Sequence, residues 1–125
     1  MNTDIYQNTL DLLLDYLPDG WNNMVFYAAY TDGSYSMKYY TKKRGERWID
    51  CFSQNNVSRS DLIKLFLKIN ALLSKERNEL PKESRWNVLT MAVNSAGQMT
   101  TEYDYHNISD RAIEYERDWK TKHLT

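Results

Sequence analysis

The sequence predicts an α+β fold in which an antiparallel sheet of about five strands packs against three helices. Hydrophobic residues recur at helical spacing in three segments and at strand spacing in five others. The strands occur in runs joined by short turns, which favours antiparallel pairing. The predicted element order is α-β-β-β-α-β-β-α. At 125 residues, we expect residues 1–125 to form a single domain, because two halves would each be too short to bury a core.

The first helix is predicted to begin at Thr3, whose hydroxyl is a suitable N-cap. Its apolar residues repeat at the spacing of one helix face. They are Tyr6, Leu10, Leu13, Leu14 and Leu17. Pro18 cannot continue a helix, so the helix is predicted to end in a turn over residues 18–20.

A β-hairpin is predicted next. Residues 24–31 are rich in aromatic and β-branched side chains, and Asp32 and Gly33 are expected to supply the positive φ angles of a two-residue turn. Residues 35–40 alternate, so that Tyr35, Met37 and Tyr39 share one face of the return strand.

A third strand is predicted over residues 47–52, after the basic turn at residues 42–45. Trp48 and Phe52 would face one way, and Ile49 and Cys51 the other. The second helix should begin at the capping serines near residue 58 and fade before Pro81. Its apolar stripe is Leu62, Leu65, Phe66, Ile69, Leu72 and Leu73.

Two further strands are predicted over residues 86–94 and 98–106, joined by the turn at residues 95–97. Ser109 is then expected to cap a final helix. The residues predicted to line its inner side are Ala112, Tyr115, Trp119 and His123.

Composition argues against several classes of protein. The 16 basic and 17 acidic residues nearly cancel, which gives no overall attraction to nucleic acid or membrane. The N-terminus lacks a basic signal-peptide region, and the apolar runs are too short for a membrane span. Cys51, the one cysteine, cannot form an internal disulfide, so a reducing, cytoplasmic location is expected.

No catalytic constellation is evident in the sequence. His106 beside Asp104 could serve as a base, but it is interpreted as a surface or helix-capping residue. Glu102 and Asp104 alternate on one strand face, as solvated acids commonly do. Cys51 is interpreted as a buried small hydrophobe. No phosphate loop, nucleophile elbow or zinc pattern is present, so neither catalytic residues nor a cofactor or metal are expected.

Charge is unevenly distributed along the chain. Five basic residues lie between Lys38 and Arg47, next to aromatic residues, and are interpreted as a solvated turn or guarded edge rather than a nucleic-acid patch. Six acids lie between Glu102 and Asp118, beside aromatic side chains. Steering charge next to aromatic anchors is typical of protein interfaces, although an acidic helix face also keeps a protein soluble.

The order of particular residues resembles the YezG-like family of bacterial immunity proteins. The residues that carry the resemblance lie toward both ends of the chain. They are Ile5-Tyr6, Leu17-Pro18-Asp19-Gly20-Trp21, Trp86-Asn87-Val88-Leu89-Thr90, Ser95-Ala96-Gly97, Tyr103-Asp104-Tyr105, Arg117 and Trp119. The resemblance implies a non-enzymatic antitoxin that binds the C-terminal domain of a secreted or contact-delivered toxin. That toxin is often a nuclease, with an RNase preferred here.

An acidic surface could occupy the basic substrate groove of a nuclease and speed association by steering. The residues expected to contact the toxin are Glu102, Asp104, Tyr105, Asp110, Glu114 and Asp118. The bulky residues Trp86, Leu89, Tyr103 and Trp119 are assigned to the core instead. The alternatives are binding to a toxin surface outside the active site, binding through the basic turn, an interaction module unrelated to toxins, and a small nucleic-acid-binding protein.

Overall fold

The computed structural model describes residues 4–124 and confirms the predicted order of helices and strands. The helices are α1 (Asp4–Leu14), α2 (Arg59–Glu79) and α3 (Ala112–His123). The strands are β1 (Trp21–Thr31), β2 (Ser34–Lys43), β3 (Ile49–Asp50), β4 (Val88–Asn94) and β5 (Met99–Asp104). Short 3₁₀ helices span Cys51–Ser53 and Lys82–Ser84. The predicted N-cap Thr3 lies outside the described residues.

The strands form one antiparallel sheet in the order β3-β2-β1-β4-β5. β1 is the central strand, and it is buried on both faces because a helical layer covers each side. Met24, Phe26, Ala28 and Tyr30 face α1 and α2. Val25, Tyr27 and Ala29 face α3. The alternation predicted for the hairpin is confirmed, since Met37 and Tyr39 join the first core while Tyr40 joins the second.

The larger core lies between the sheet and the helices α1 and α2. The Ser58 hydroxyl accepts a hydrogen bond from the Asp61 amide at 3.2 Å and thereby caps α2. Leu62, Leu65, Phe66, Ile69 and Leu73 are buried, as the helical stripe predicted. In α1 the prediction was wrong for Leu14, which is 40% exposed because it lies about 100° around the helix axis from the fully buried Leu13. Leu17 lies beyond the helix yet is buried.

The third strand is shorter than predicted. It pairs with β2 only through Ile49 and Asp50, after which the chain turns into a 3₁₀ helix. The Asp50 carboxylate accepts a hydrogen bond from the Phe52 amide at 2.8 Å, which favours the turn over an extended backbone. The predicted alternation is therefore wrong after residue 50. Cys51 is fully buried, while Phe52 is exposed and packs beside Phe66.

Two turn predictions were also wrong. In the β1–β2 turn only Gly33 has a positive φ, 73°, and Asp32 does not. Ser109 does not cap α3, because α3 begins at Ala112 and its N-cap position, Arg111, makes no side-chain cap hydrogen bond. The Ser109 hydroxyl instead accepts a hydrogen bond from the Asp32 amide at 3.0 Å and so ties the loop before α3 to the hairpin.

The C-terminal half of the sheet follows the prediction with shorter strands. Trp86 precedes β4 and Tyr105 follows β5, so neither belongs to its predicted strand. Trp86 is nevertheless buried, as its assignment to the core predicted. Leu89 and Trp119 are also buried, whereas Tyr103 is only partly so. Trp119 lies on the inner side of α3, as predicted, and anchors that helix to the sheet.

Candidate functional site

Three of the six residues predicted to contact a partner line one cleft between β5 and α3. This β5–α3 cleft has a volume of about 270 Å³ and is open to solvent. Its floor comes from Val88 and Thr90 of β4, together with Trp119. The charged or ionisable residues around it are Glu102, Asp104, Arg111, Asp118, Lys122 and His123.

Trp119, in the floor of the cleft, packs against three aromatic rings and donates one hydrogen bond. Its ring centroid lies 4.7 Å from that of Tyr27 and 5.7 Å from that of Tyr40. The His123 ring stacks on the indole with the two ring centroids 4.8 Å apart. The indole N–H donates a hydrogen bond to the Thr90 hydroxyl at 2.9 Å. Such contacts fix the position of α3 on the sheet.

Asp104 is held by hydrogen bonds from two directions. One carboxylate oxygen lies 2.9 Å from the His106 amide and 2.7 Å from His106 Nδ1, and the other accepts from the Tyr115 hydroxyl at 2.7 Å. Burial alone would raise the pKa of Asp104, but these hydrogen bonds outweigh it and hold the pKa below its usual value. Burial, followed by the Asp104 carboxylate, raises the pKa of Tyr115. Asp104 is therefore an oriented anion that joins β5 to α3.

Glu102 contacts the C-terminal turn of α3. His123 Nε2 lies 3.1 Å from a carboxylate oxygen of Glu102, and Lys122 Nζ lies 4.0 Å from the same oxygen. His123 Nδ1 lies 3.1 Å from the carbonyl oxygen of Trp119. The imidazole ring of His123 therefore lies between the last turn of α3 and Glu102 of β5. The Glu102 side chain remains 58% exposed and can contact a partner.

The other three predicted contact residues lie outside the cleft. Asp110 and Glu114 border a shallow hollow at the start of α3, together with Arg111 and Arg117. Tyr105 follows β5, and its ring lies 6.3 Å from that of Tyr103, which belongs to the α1 side of the sheet. The six residues are therefore spread over the cleft, the start of α3 and the opposite face of the sheet.

Sequence reasoning missed the basic half of the cleft. Arg111, Lys122 and His123 line the cleft together with Glu102, Asp104 and Asp118, so the surface is of mixed charge. Glu116, the remaining acid of the C-terminal stretch, points the other way and pairs with Lys38 at 3.6 Å and Lys120 at 3.5 Å. The cluster of basic residues in the last turn of α3 was a signal that could have revealed this balance.

The cleft provides oriented charges and an aromatic floor. Across residues 4–124, no group of three or more His, Cys, Asp or Glu side chains is arranged to hold a metal ion. None of the helices in that same range is long and apolar enough to cross a membrane. The His106 ring is 90% exposed and bonds Asp104. This arrangement suits recognition of a complementary charged surface.

The chain is a small α+β protein, with a five-stranded sheet between two helical layers and a charged cleft along the sheet's edge. The family model "Immunity protein YezG-like" matches residues 2–125, and the chain belongs to this family. It is 25% identical over 112 residues to "Immunity protein YezG" of Bacillus spizizenii, an alignment that covers 84% of this chain and 69% of that relative. Family membership gives the chain an immunity role.

Proposed function

We propose that the chain binds the C-terminal domain of a cognate toxin through the β5–α3 cleft and the adjoining start of α3, and so blocks it. The observation that supports this is the fixed framework around exposed acids. Trp119 holds α3 onto β4 and Asp104 holds it onto β5, and Glu102 and Asp118 line the resulting cleft. Preorganised side chains lose little entropy on binding, which favours a tight complex.

We further propose that the toxin is a nuclease, with an RNase preferred, and that the complex covers its active site. A nuclease binds phosphates in a basic groove, and carboxylates can occupy that groove as phosphate mimics. Asp110, Glu114 and Asp118 are exposed along α3 and can serve in this way. On this proposal the chain acts in the cytoplasm by stoichiometric binding, without turnover of its own.

The six predicted residues would contribute differently to such a complex. Asp104 is hydrogen-bonded to Tyr115 and His106, so its role in the complex would be to maintain the geometry of the cleft. Glu102 and Asp118 would contact the toxin from the rim. Tyr105 is 56% exposed but belongs to the other side of the sheet, so a toxin that reaches it must wrap around the β5 edge.

The test is to co-express the chain with the toxin domain encoded beside its gene and to measure growth, co-purification and association rates. Reversing Asp110, Glu114 and Asp118 to Lys should slow association by about 10-fold or more at low salt and flatten its salt dependence. The matched control reverses Asp11, Asp15 and Asp61, which are equally exposed acids on α1, just after it, and on α2.

Unchanged association in the α3 variant would overturn the acidic-face proposal. Loss of neutralisation in a Lys42, Lys43 and Arg44 charge-reversal variant alone would assign binding to the basic turn. A nucleic-acid shift at physiological salt, together with no toxin binding, would favour the nucleic-acid alternative.

A further inference from the structure

Most of β2 has no partner strand on its outer edge. β1 pairs with β2 along its whole length, from Ser34 to Lys43. On the other side, within the described part of the chain, β3 pairs only with Tyr40 and Thr41. The stretch from Ser34 to Tyr39 is therefore an open edge, which is a template for a further strand.

The register identifies the backbone groups that point outward. The Tyr30 amide bonds the Asn87 carbonyl beyond β4, so the even-numbered residues of β1 bond toward β4 and the odd-numbered ones bond β2. On β2, Ser34, Ser36 and Lys38 consequently bond β1. Tyr35, Met37 and Tyr39 point outward. The Tyr39 amide already bonds the Cys51 sulfur, which leaves the outward backbone groups of Tyr35 and Met37 without a partner strand in the described part of the chain.

Exposed aliphatic side chains flank this edge on both faces of the sheet. On one face, Ile63 and Leu67 of α2 are 48% and 56% exposed. They lie on the opposite side of α2 from Lys68 and Leu72, which face α1, so they project toward β2. On the other face, Ile113 of α3 is 89% exposed.

Ile113 borders a cleft of about 220 Å³ beside Ser34 and Ser36 of β2. Exposed aliphatic groups on both sides of an open strand would be covered by an added strand and the helices that come with it. Both faces of the edge therefore favour a folded partner over a bare peptide.

We infer that the open edge of β2 pairs with β2 of a second copy of this chain, antiparallel about a two-fold axis through Ser36. Tyr35 of each copy would exchange backbone hydrogen bonds with Met37 of the other, which uses all four outward groups. Ser36 would face Ser36, and Lys38 would face Ser34. Two five-stranded sheets would thus join into one of ten strands, and the aliphatic flanks would be buried symmetrically.

Self-pairing fits the ends of the open stretch. The open edge stops at one end where Cys51 bonds Tyr39, and at the other end where the chain turns at Asp32 and Gly33. When two copies of β2 pair antiparallel about Ser36, Gly33 in the turn of one copy lies opposite Tyr39 of the other. This is the position where Cys51 closes the edge. No like charges face each other in this register, because Lys38 is opposite a serine and is paired within its own chain with Asp50 and Glu116.

A disulfide tests the proposed register directly. Cα atoms of a non-hydrogen-bonded antiparallel pair lie about 4.5 Å apart, which is within the range a disulfide spans. Ser36→Cys should therefore form a covalent dimer of twice 14.9 kDa under mild oxidation. Thr100→Cys, on the exposed β5 edge, is the control and should form no covalent dimer. Equal cross-linking of both variants, or none in Ser36→Cys, would overturn the inference.

A backbone substitution tests the same edge without a cross-link. Tyr35→Pro removes an outward N–H and leaves the bonds to β1 intact, whereas Tyr35→Val removes the same ring and keeps the N–H. Sedimentation equilibrium should show that Tyr35→Pro raises the dissociation constant of the dimer by at least 10-fold relative to Tyr35→Val. The dimer of the Leu67→Lys variant should also dissociate. The dimer of Leu14→Lys, which changes an exposed leucine on α1, should not.

Other results would overturn the inference or assign the open edge of β2 to a different partner. A parent chain that stays monomeric at about 100 μM, or a dimer that survives Tyr35→Pro and Leu67→Lys, would overturn the inference. A monomeric parent whose Tyr35→Pro variant loses the toxin would assign the edge to the toxin instead. Circular dichroism of each variant checks that it is folded. If Tyr35→Pro does not fold, the Ser36→Cys cross-linking experiment still tests the inference.

Discussion

Trp119 donates its indole N–H to the hydroxyl oxygen of Thr90 across 2.9 Å, and both side chains are buried. This is one of the polar contacts that hold α3 against the sheet, and both residues line the β5–α3 cleft. The positions of all the α3 side chains at the rim, including Asp118, depend on it. The stability of this contact and the shape of the cleft are therefore linked.

Replacing Thr90 with Val should destabilise the protein by about 1–3 kcal/mol, because the buried indole N–H would lose its acceptor. Urea unfolding measures the change. Thr90→Ser keeps an acceptor and should cost less. Thr101→Val, at an exposed position on β5, should stay within about 0.5 kcal/mol of the parent. A Thr90→Val cost no larger than that of Thr101→Val would show that the hydrogen bond contributes little.

Much of the fold could be predicted because each buried face has its own period. The stripe from Leu62 to Leu73 predicted α2, and the alternation around Met37 and Tyr39 predicted β2. Predictions were wrong where a single side chain competes with the backbone pattern. Asp50 bonds the Phe52 amide and ends β3, and the Ser109 hydroxyl bonds the Asp32 amide of a distant hairpin.

The candidate site was predictable only in part. Strand alternation placed Glu102 and Asp104 on one face, which the structure bears out, since both line the cleft. Which α3 residues join them depends on how the helix docks, and Trp119 sets this through contacts with three other elements. No local pattern shows that Asp118 and Lys122 face β5 while Asp110 and Glu114 do not.

Acid stability should depend on the hydrogen bond between Tyr115 and Asp104. The pKa of Asp104 is lowered in the folded state, so this carboxylate stabilises the fold above the unfolded pKa of about 3.9, and that contribution is lost as pH falls below about 4. Tyr115→Phe removes one donor, raises the pKa of Asp104 and should cost about 1 kcal/mol at pH 7.

The measurement is the free energy of unfolding in urea at pH 5, 4 and 3. The difference in unfolding free energy between the parent and Tyr115→Phe should shrink as pH falls. Once Asp104 is protonated, the hydrogen bonds to its carboxylate stabilise neither protein as strongly. Tyr105→Phe removes the hydroxyl of an exposed tyrosine and is the control. A difference between the parent and Tyr115→Phe that stays constant with pH would contradict the assignment of the lowered pKa to this contact.

Arg77 should not be replaceable by Lys. Its Nε donates to the Trp86 carbonyl and its Nη2 to the Asn87 side chain, each at 2.6 Å, while the guanidinium lies 4.9 Å from the Tyr30 ring centroid. An ammonium group cannot reproduce this planar geometry, so Arg77→Lys should lower the free energy of unfolding by about 1–3 kcal/mol.

Arg59 provides the matched comparison for Arg77. It also lies over an aromatic ring, that of Phe52 at 5.3 Å, but it is exposed at the start of α2. Arg59→Lys should therefore change the free energy of unfolding by no more than about 0.5 kcal/mol in thermal or urea denaturation. Equal losses in the two variants would show that the hydrogen bonds of Arg77 are not what stabilises the segment before β4.

Cys51 should be inert toward thiol reagents while the protein is folded. Burial, the largest cause, raises the pKa of its thiol to about 12, and nearby Asp50 adds to the rise although the Tyr39 amide opposes it. The reactive thiolate is therefore scarce at neutral pH, and the fully buried sulfur is also shielded from reagent. Labelling at pH 8 should be slow in buffer and immediate in about 8 M urea.

The same raised pKa predicts how stability changes at high pH. An unfolded chain releases the thiol proton near its ordinary pKa of about 8.5, whereas the folded chain retains it, so the contribution of Cys51 is complete below that pH and declines as pH rises toward 12. Cys51→Ala should remove this part of the decline. In the labelling experiment Thr100→Cys, which adds an exposed thiol on β5, is the control, and native Cys51 reacting as fast as that thiol would refute the prediction.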